Sequence, residues 1–195
     1  FSREAIVNSV DTSLLRLGVE YLDVLLLHRP DLLMDADEVA ESFDILKQSG
    51  KVRYFGVSNF SCAQFSLLES RLGSSLVTNQ VEINPVNMGV LEDGTLDQLQ
   101  NMRIKPMAWS CLAGGRIMAE QSEQAVRLRF VLATIASEVG AVSIDQIVFA
   151  WILRLPCNPV AIIGSGKIAR VAAAAESLVI NLSHEQWYRI WVAST

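Results

Sequence analysis

The sequence contains few cysteines, and their arrangement limits the chemistry that they can support. Cys62, Cys111 and Cys157 are odd in number and widely spaced. They match neither the even-numbered framework of a disulfide-rich secreted protein nor a Cys-x-x-Cys metal site. We therefore expect a reducing, cytoplasmic setting and no bound metal.

Long apolar runs and an excess of basic residues are also missing. The runs Val24–Leu27 and Val160–Ile163 have four residues each, whereas a membrane-spanning helix needs roughly 20. Lys and Arg number 16 against 21 Asp and Glu, a net charge of −5, and the isoelectric point is near 5.1. Nucleic acids and anionic membranes bind clustered basic residues. Small molecules are therefore the expected partners, and the oligomeric state stays open.

The chain has enough apolar residues to form a core. Of its 195 residues, 51% are hydrophobic and 19% charged, which is typical of a globular protein. It begins with Phe1 rather than Met, and Ser2 to Leu17 predicts a charged amphipathic helix instead of a signal peptide. We expect the natural chain to begin further upstream.

Short apolar runs alternate with segments of helical periodicity along the whole sequence. The run from Tyr21 to His28 is too short for an ordinary helix and is typical of a strand covered on both faces in a parallel sheet. The helical pattern that follows, Val39 to Gln48, stops before Gly50, which suits a left-handed cap. The same reasoning predicts strands at 52–59, 77–83, 106–111 and 160–163, and helices at 61–71, 91–102, 123–138, 143–154, 167–178 and 184–192.

This alternation predicts an α/β fold. Strands that alternate with helices indicate parallel βαβ units, and the first four strands begin near residues 21, 52, 77 and 105. A spacing of about 30 residues matches a (β/α)8 TIM barrel of ~250 residues, of which this chain would supply about five units, strands 4 to 8. An open doubly wound sheet, complete at this length, is the alternative. No linker divides the chain, so we expect one incomplete domain over residues 1–195.

Each predicted strand ends in a polar group. Catalytic residues of a TIM barrel lie at the carboxyl ends of its strands, because the βα loops gather there. A polar strand end also occurs simply because it meets solvent, but five in succession favour a functional site. The groups are His28, Ser58 with Asn59, Gln80 with Glu82, Trp109 with Ser110, and Gly164 with Ser165.

The segment Gly164-Ser-Gly-Lys167 separates the last strand from a helix. Glycines allow the backbone to approach a phosphate, and a helix N-terminus presents free N–H groups to it. The spacing is neither that of a P-loop nor Gly-x-Gly-x-x-Gly, and Gly-Ser-Gly also forms ordinary tight turns. Lys167 and Arg170, three residues apart, are expected on one helical face, where they add two cations suited to a phosphate group.

Four ordered motifs, followed by Ile163-Gly-Ser-Gly, resemble the aldo-keto reductases over essentially the whole chain. Within that family the likeness is greatest to the YdhF-type bacterial oxidoreductases, which share the Gly-Ser-Gly-Lys-Ile turn. The resemblance implies a TIM barrel that binds NADPH without a Rossmann domain and reduces aldehydes or ketones by hydride transfer. The motifs are Tyr21-Leu-Asp-Val-Leu-Leu-Leu-His-Arg-Pro-Asp31, Gly50-Lys-Val-Arg-Tyr-Phe-Gly-Val-Ser-Asn-Phe60, Asn79-Gln-Val-Glu-Ile-Asn-Pro85 and Met107-Ala-Trp-Ser-Cys-Leu112.

The resemblance also implies roles for individual residues. His28 matches the active-site histidine that orients the substrate carbonyl, and Trp109 matches the aromatic residue on which the nicotinamide ring stacks. Three further sets of residues match cofactor contacts. Ser58, Asn59 and Gln80 correspond to the nicotinamide carboxamide site, Ser110 and Leu112 to the pyrophosphate, and Gly164, Ser165, Lys167 and Arg170 to the stretch around the adenosine 2′-phosphate.

Two departures from the family pattern change what is expected of the chain. The family's catalytic tetrad is Asp, Tyr, Lys and His, and its first three members belong to units that precede the first strand here. This chain alone is therefore expected to be inactive or nearly so. Ala173 and Ala174 replace a Glu-Asn pair that contacts adenine in many members. A redox-sensing cofactor-binding module and a truncated product without its own function remain alternative interpretations.

Overall fold

The computed structural model describes residues 1–195 as two compact units, Phe1–Gln80 and Val81–Thr195. The β1–β2, β2–β3 and β4–β5 pairs are parallel. The strands are β1 (Leu22–Leu27), β2 (Val52–Ser58), β3 (Asn79–Glu82), β4 (Met107–Trp109) and β5 (Val160–Ala161). The helices are α1 (Arg3–Leu17), α2 (Ala36–Gln48), α3 (Cys62–Glu69), α4 (Gly89–Glu92), α5 (Thr95–Asn101), α6 (Arg116–Ala119), α7 (Glu123–Val139), α8 (Ile144–Leu153), α9 (Ile168–Glu176) and α10 (His184–Ser194), with 3-10 turns at Ala113–Gly115 and Ser177–Val179.

In the first unit the strand order is β1-β2-β3. The register pairs Leu27 with Val57, and Ser58 with Gln80. Helix α2 packs on this sheet through Phe43, whose ring stacks on that of Phe55 with centroids 4.0 Å apart. The sequence predicted these elements because each has a local signal, such as the reciprocal capping box that Ser61 forms with Gln64 at the start of α3.

Within residues 1–195 one face of β1 is open to solvent, which differs from the expected cover on both faces. Val24 is 45% exposed and Tyr54, its partner on β2, is 56% exposed. The opposite face of the same strands carries Arg53, because successive side chains of a strand point to opposite faces. Its guanidinium lies 3.8 Å from the ring centre of Tyr21 and 2.9 Å from a carboxylate oxygen of Asp23.

In the second unit the strand order is β3-β4-β5, and helices α7, α8 and α10 surround the largest hydrophobic core. The ladder between β4 and β5 extends past the named strands, since the Ile162 amide donates to the Ala108 carbonyl at 2.8 Å. Trp151 and Trp187 stack with ring centroids 4.9 Å apart. Each indole Nε1 also donates to the other residue's carbonyl oxygen, at 3.2 and 3.0 Å. This reciprocal contact fastens α10 to α8.

The predicted and observed elements differ in two regions. The predicted helix over 91–102 is interrupted at Gly94, whose φ of +87° is outside the helical region, so α4 and α5 are separate helices. The apolar periodicity continues across the break and conceals it. The turn at Ala113–Gly115 and helix α6 had no predicted counterpart.

No single helix is long and apolar enough to span a membrane. Only α7 and α8 taken together pass such a test, and an 86° bend separates them.

Candidate functional site

The first unit gathers three predicted site residues in one hydrogen-bonded group. The Ser58 hydroxyl and the backbone amide of Asn59 both donate to the backbone carbonyl of Gln80, at 3.0 and 2.9 Å. The side-chain amide of Asn59 in turn donates to the Ser58 hydroxyl at 3.1 Å. Asn59 has a φ of +58°, a left-handed conformation that asparagine tolerates better than most residues. The turn after β2 thus places the side-chain amide of the exposed Asn59 next to the hydroxyl of the buried Ser58.

His28 follows β1 directly and is exposed. Because the register pairs Leu27 with Val57, His28 continues alongside Ser58 at the same end of the sheet. His28, Ser58 and Asn59 therefore lie at the carboxyl ends of neighbouring strands in this unit. An exposed imidazole can exchange a proton or donate a hydrogen bond to a carbonyl oxygen.

The second unit contains a cavity of about 610 Å³ that brings together five more predicted residues. We call it the Arg170 cavity, and its volume lies within the range of small-molecule sites. Trp109 is half-buried and directly precedes Ser110, which lines the cavity. The predicted residues in the wall are Ser110, Leu112, Gly164, Ser165 and Arg170.

One wall of the Arg170 cavity is an unusual backbone loop. Four residues of this loop have a positive φ, between +52° and +89°. They are Ser110, Ala113, Gly114 and Gly115. A left-handed conformation costs a non-glycine residue about 1–2 kcal/mol. The loop is held by an amide of Ala113 that donates to the Ser110 carbonyl at 2.7 Å. Successive amides in such conformations form concavities that bind anions.

Arg170 supplies the positive charge of this cavity. It lies in the first turn of α9, whose N-terminus has no side-chain cap, so the helix end presents N–H groups suited to an anion. Lys167 differs from the prediction. Its backbone is extended at the N-cap position (φ −85°, ψ 117°), and it does not line the cavity. Lys167 and Arg170 therefore do not share a helical face, because Lys167 precedes the helix.

Sequence reasoning missed the contribution of α8 to the cavity wall. Ser143, Asp145 and Phe149 line it, although they follow no strand. The available signal was Ser143, whose hydroxyl caps α8 by accepting a hydrogen bond from the Gln146 amide at 3.4 Å. A cap shows where a helix begins, but not which cavity its first turn reaches.

The cysteine in the cavity wall is not a reactive nucleophile. Burial raises the pKa of Cys111 to about 11, and its thiol donates to the Ala108 carbonyl at 3.3 Å. Burial likewise raises the pKa of Cys157 to about 11. All three cysteines are free thiols, and the thiolate is the nucleophilic form.

A second cavity of the same unit, about 440 Å³, contains none of the predicted site residues. It is lined by the aromatic residues Trp187, Tyr188 and Trp191 and by His184. The sequence offered no role for His184, and its position apart from the Arg170 cavity agrees with that.

The Arg170 cavity fits a phosphate-bearing nucleotide by its donor set. Arg170 forms no ion pair within the chain, and the left-handed loop and the uncapped end of α9 add backbone donors. The apolar remainder of the wall, including Ala169, Ala173 and Phe149, suits a flat ring.

Comparisons with known proteins agree on one family. The model of the Aldo/keto reductase family matches residues 1–193. The chain is 57% identical to oxidoreductase YdhF of Escherichia coli over 96% of its own length and 62% of that protein. It is 38% identical to a 6-dehydroglucose reductase of Novosphingobium aromaticivorans over 99% and 63%. The chain thus spans less than two thirds of the length of these curated relatives.

Two solved structures share the fold. The thermostable aldo-keto reductase Tm1743, in complex with the inhibitor epalrestat, superposes with a TM-score of 0.89 at 28% identity, covering 98% of this chain and 67% of that one. An aldo/keto reductase from Klebsiella pneumoniae, in complex with NADP and acetate, has a TM-score of 0.80 at 27% identity, covering 95% and 63%.

Proposed function

The chain belongs to the aldo/keto reductase family, and on that premise we propose that the protein containing it reduces aldehydes or ketones to alcohols with NADPH. The observation that carries the proposal is the Arg170 cavity. It joins an unpaired guanidinium to a loop of left-handed backbone, and both features favour the binding of a phosphate group. The NADP in the related Klebsiella pneumoniae structure supports the choice of cofactor.

We further propose that the five βα units belong to an eight-fold TIM barrel. The strands are neighbours in chain order, and the β1–β2, β2–β3 and β4–β5 pairs are parallel, as in such a barrel. The Asp, Tyr and Lys of the family tetrad would then come from residues outside 1–195. Tyr21 and Tyr54 lie at the start and middle of strands, and Tyr188 lies in α10, so none of the three tyrosines follows a strand end.

Residues of the first unit would act on substrate and nicotinamide. His28 is proposed to position the substrate carbonyl oxygen. The turn formed by Ser58, Asn59 and Gln80 is proposed to bind the nicotinamide carboxamide, which needs both a hydrogen-bond donor and an acceptor. This orientation matters because reacting atoms must meet at near-attack distance.

Residues of the second unit would bind the rest of the cofactor. Trp109 is proposed to stack on the nicotinamide ring, while Ser110 and Leu112 flank the pyrophosphate. Arg170, with Gly164, Ser165 and the nearby Lys167, is proposed to bind the adenosine 2′-phosphate. A cation there favours NADPH over NADH by compensating the additional charge.

NADPH supplies the hydride that reduces the carbonyl carbon, and the residues of this chain bind and orient the reactants. The carbonyl oxygen also needs a proton, which the family tyrosine would donate. General acid assistance typically contributes ~10² to 10⁴ in rate. Residues 1–195 alone are therefore proposed to bind cofactor with little or no turnover.

The test compares NADPH oxidation by the full natural protein with and without added carbonyl compounds. Oxidation that depends on an aldehyde or ketone, with matching alcohol formation, supports a reductase. A slow oxidation rate that no carbonyl compound changes would instead favour the redox-sensing module.

A further inference from the structure

The Arg170 cavity contains a second charged residue that has no partner in the chain. Asp145 is the second residue of α8, is half-buried and lines the cavity. No residue of the chain donates a hydrogen bond to its carboxylate or forms an ion pair with it. Arg170 and Asp145 are the only charged residues in the wall, and they do not form an ion pair with each other. The cavity thus offers a separate cation and anion to a ligand.

The position of Asp145 is fixed by its neighbour. Gln146 is buried, and its side-chain amide donates to the carbonyl of Ala173 at 3.1 Å and to the carboxylate of Glu176 at 2.8 Å. Its side-chain oxygen accepts from the Val142 amide at 2.9 Å. These bonds fasten the first turn of α8 to the middle of α9, so Asp145 is held beside the alanine-rich part of the cavity.

That part of the wall has no other anionic acceptor. Ala169, Ala173 and Ala174 present only methyl groups from α9, and a methyl group cannot read the polar edge of a base. The Ser143 hydroxyl accepts the capping hydrogen bond of α8 and is uncharged. The carboxylate of Asp145 is therefore the strongest hydrogen-bond acceptor that this wall offers to a donor group of a ligand.

We propose that Asp145 determines specificity for the adenine base of the cofactor. Its carboxylate accepts a hydrogen bond from the exocyclic amine of adenine, the donor group of that base edge, while Arg170 binds the 2′-phosphate. The inference rests on the proposed function, because it assigns one end of the same cofactor to this cavity. Many family members contact adenine through a Glu-Asn pair where this chain has Ala173 and Ala174. Asp145 of α8 would supply a polar adenine contact in place of that pair.

The test uses the full natural protein and two cofactors that differ only in the base. One is NADPH and the other is its 6-deamino analogue, in which a hydrogen atom replaces the amine and no new donor group is introduced. Calorimetry on wild type, Asp145→Ala and Asp97→Asn gives the ratio of the two dissociation constants. Asp97 is a matched control, because it is also an acidic residue in the first turn of a helix but lies outside the Arg170 cavity.

Wild type and Asp97→Asn are expected to bind NADPH about tenfold or more tightly than the analogue, since a hydrogen bond to a charged group is lost with the amine. Asp145→Ala is expected to reduce that ratio to near one. If Asp145→Ala leaves the ratio of the two dissociation constants as in wild type, or tightens the binding of both cofactors by the same factor, Asp145 does not recognise the base. If wild type binds neither cofactor, the proposed function itself fails.

Discussion

At the scale of single residues, Arg170 tests the assignment of the phosphate site. Arg170→Ala should weaken NADPH binding by tenfold or more, about 1.4 kcal/mol, and affect NADH much less, because only NADPH carries the 2′-phosphate. Fluorescence titration of both cofactors measures the preference. Arg16→Ala is the control, since Arg16 is an exposed arginine at the end of α1. Equal losses for NADPH and NADH would contradict the assignment.

Gly56 shows how a single missing side chain permits strand packing. A Cβ atom on Gly56 would lie 2.6 Å from Leu26 Cδ2 and 2.9 Å from the Thr78 carbonyl oxygen. Because the backbone of Thr78 cannot give way as a side chain can, Gly56→Ala should destabilise the protein by about 1–3 kcal/mol. Urea denaturation measures the change. Gly73→Ala, where no atom lies within 4 Å of the new Cβ, should have little effect.

At the scale of elements, the paired indoles of Trp151 and Trp187 determine how α10 docks on α8. Trp151→Phe removes one of the two reciprocal hydrogen bonds and part of a fully buried ring. We expect a loss of about 1–3 kcal/mol in the free energy of unfolding. Trp191→Phe, at a half-buried ring 5.7 Å from Trp187, should cost less. Similar losses for both variants would show that the hydrogen bonds add nothing to ring packing.

Elements with a local signal were predictable, and elements set by tertiary context were not. Ser61 caps the start of α3 and Gly140 the end of α7 by their own chemistry, and these helices were predicted at 61–71 and 123–138. Gly94 breaks a helix whose apolar periodicity continues through it. The same contrast holds in the site. Ser110 and Arg170 follow strand ends and were predicted, whereas Asp145 reaches the cavity only because Gln146 ties α8 to α9.

At the scale of the whole molecule, the buried thiols make stability depend on alkaline pH. Burial raises the pKa of Cys111 and of Cys157 from the ordinary thiol value of 9.0 to about 11 in the folded protein. The unfolded chain therefore loses these protons first, so stability should fall as pH rises from about 9 towards 11. Urea midpoints at pH 8 and pH 10 measure this loss. A Cys111→Ala, Cys157→Ala double variant should lose less stability over that interval than wild type. An equal loss would show that other groups dominate.

The central claim is that the protein delivers a hydride from NADPH to a carbonyl carbon, and isotope transfer tests it most directly. The full natural protein is incubated with an aldehyde and NADPH that carries deuterium at the transferable C4 position of the nicotinamide. The account predicts that the alcohol gains one deuterium on its former carbonyl carbon, detected by mass spectrometry. NADPH oxidation that leaves the aldehyde unreduced, or alcohol that contains no deuterium from the cofactor, would contradict it.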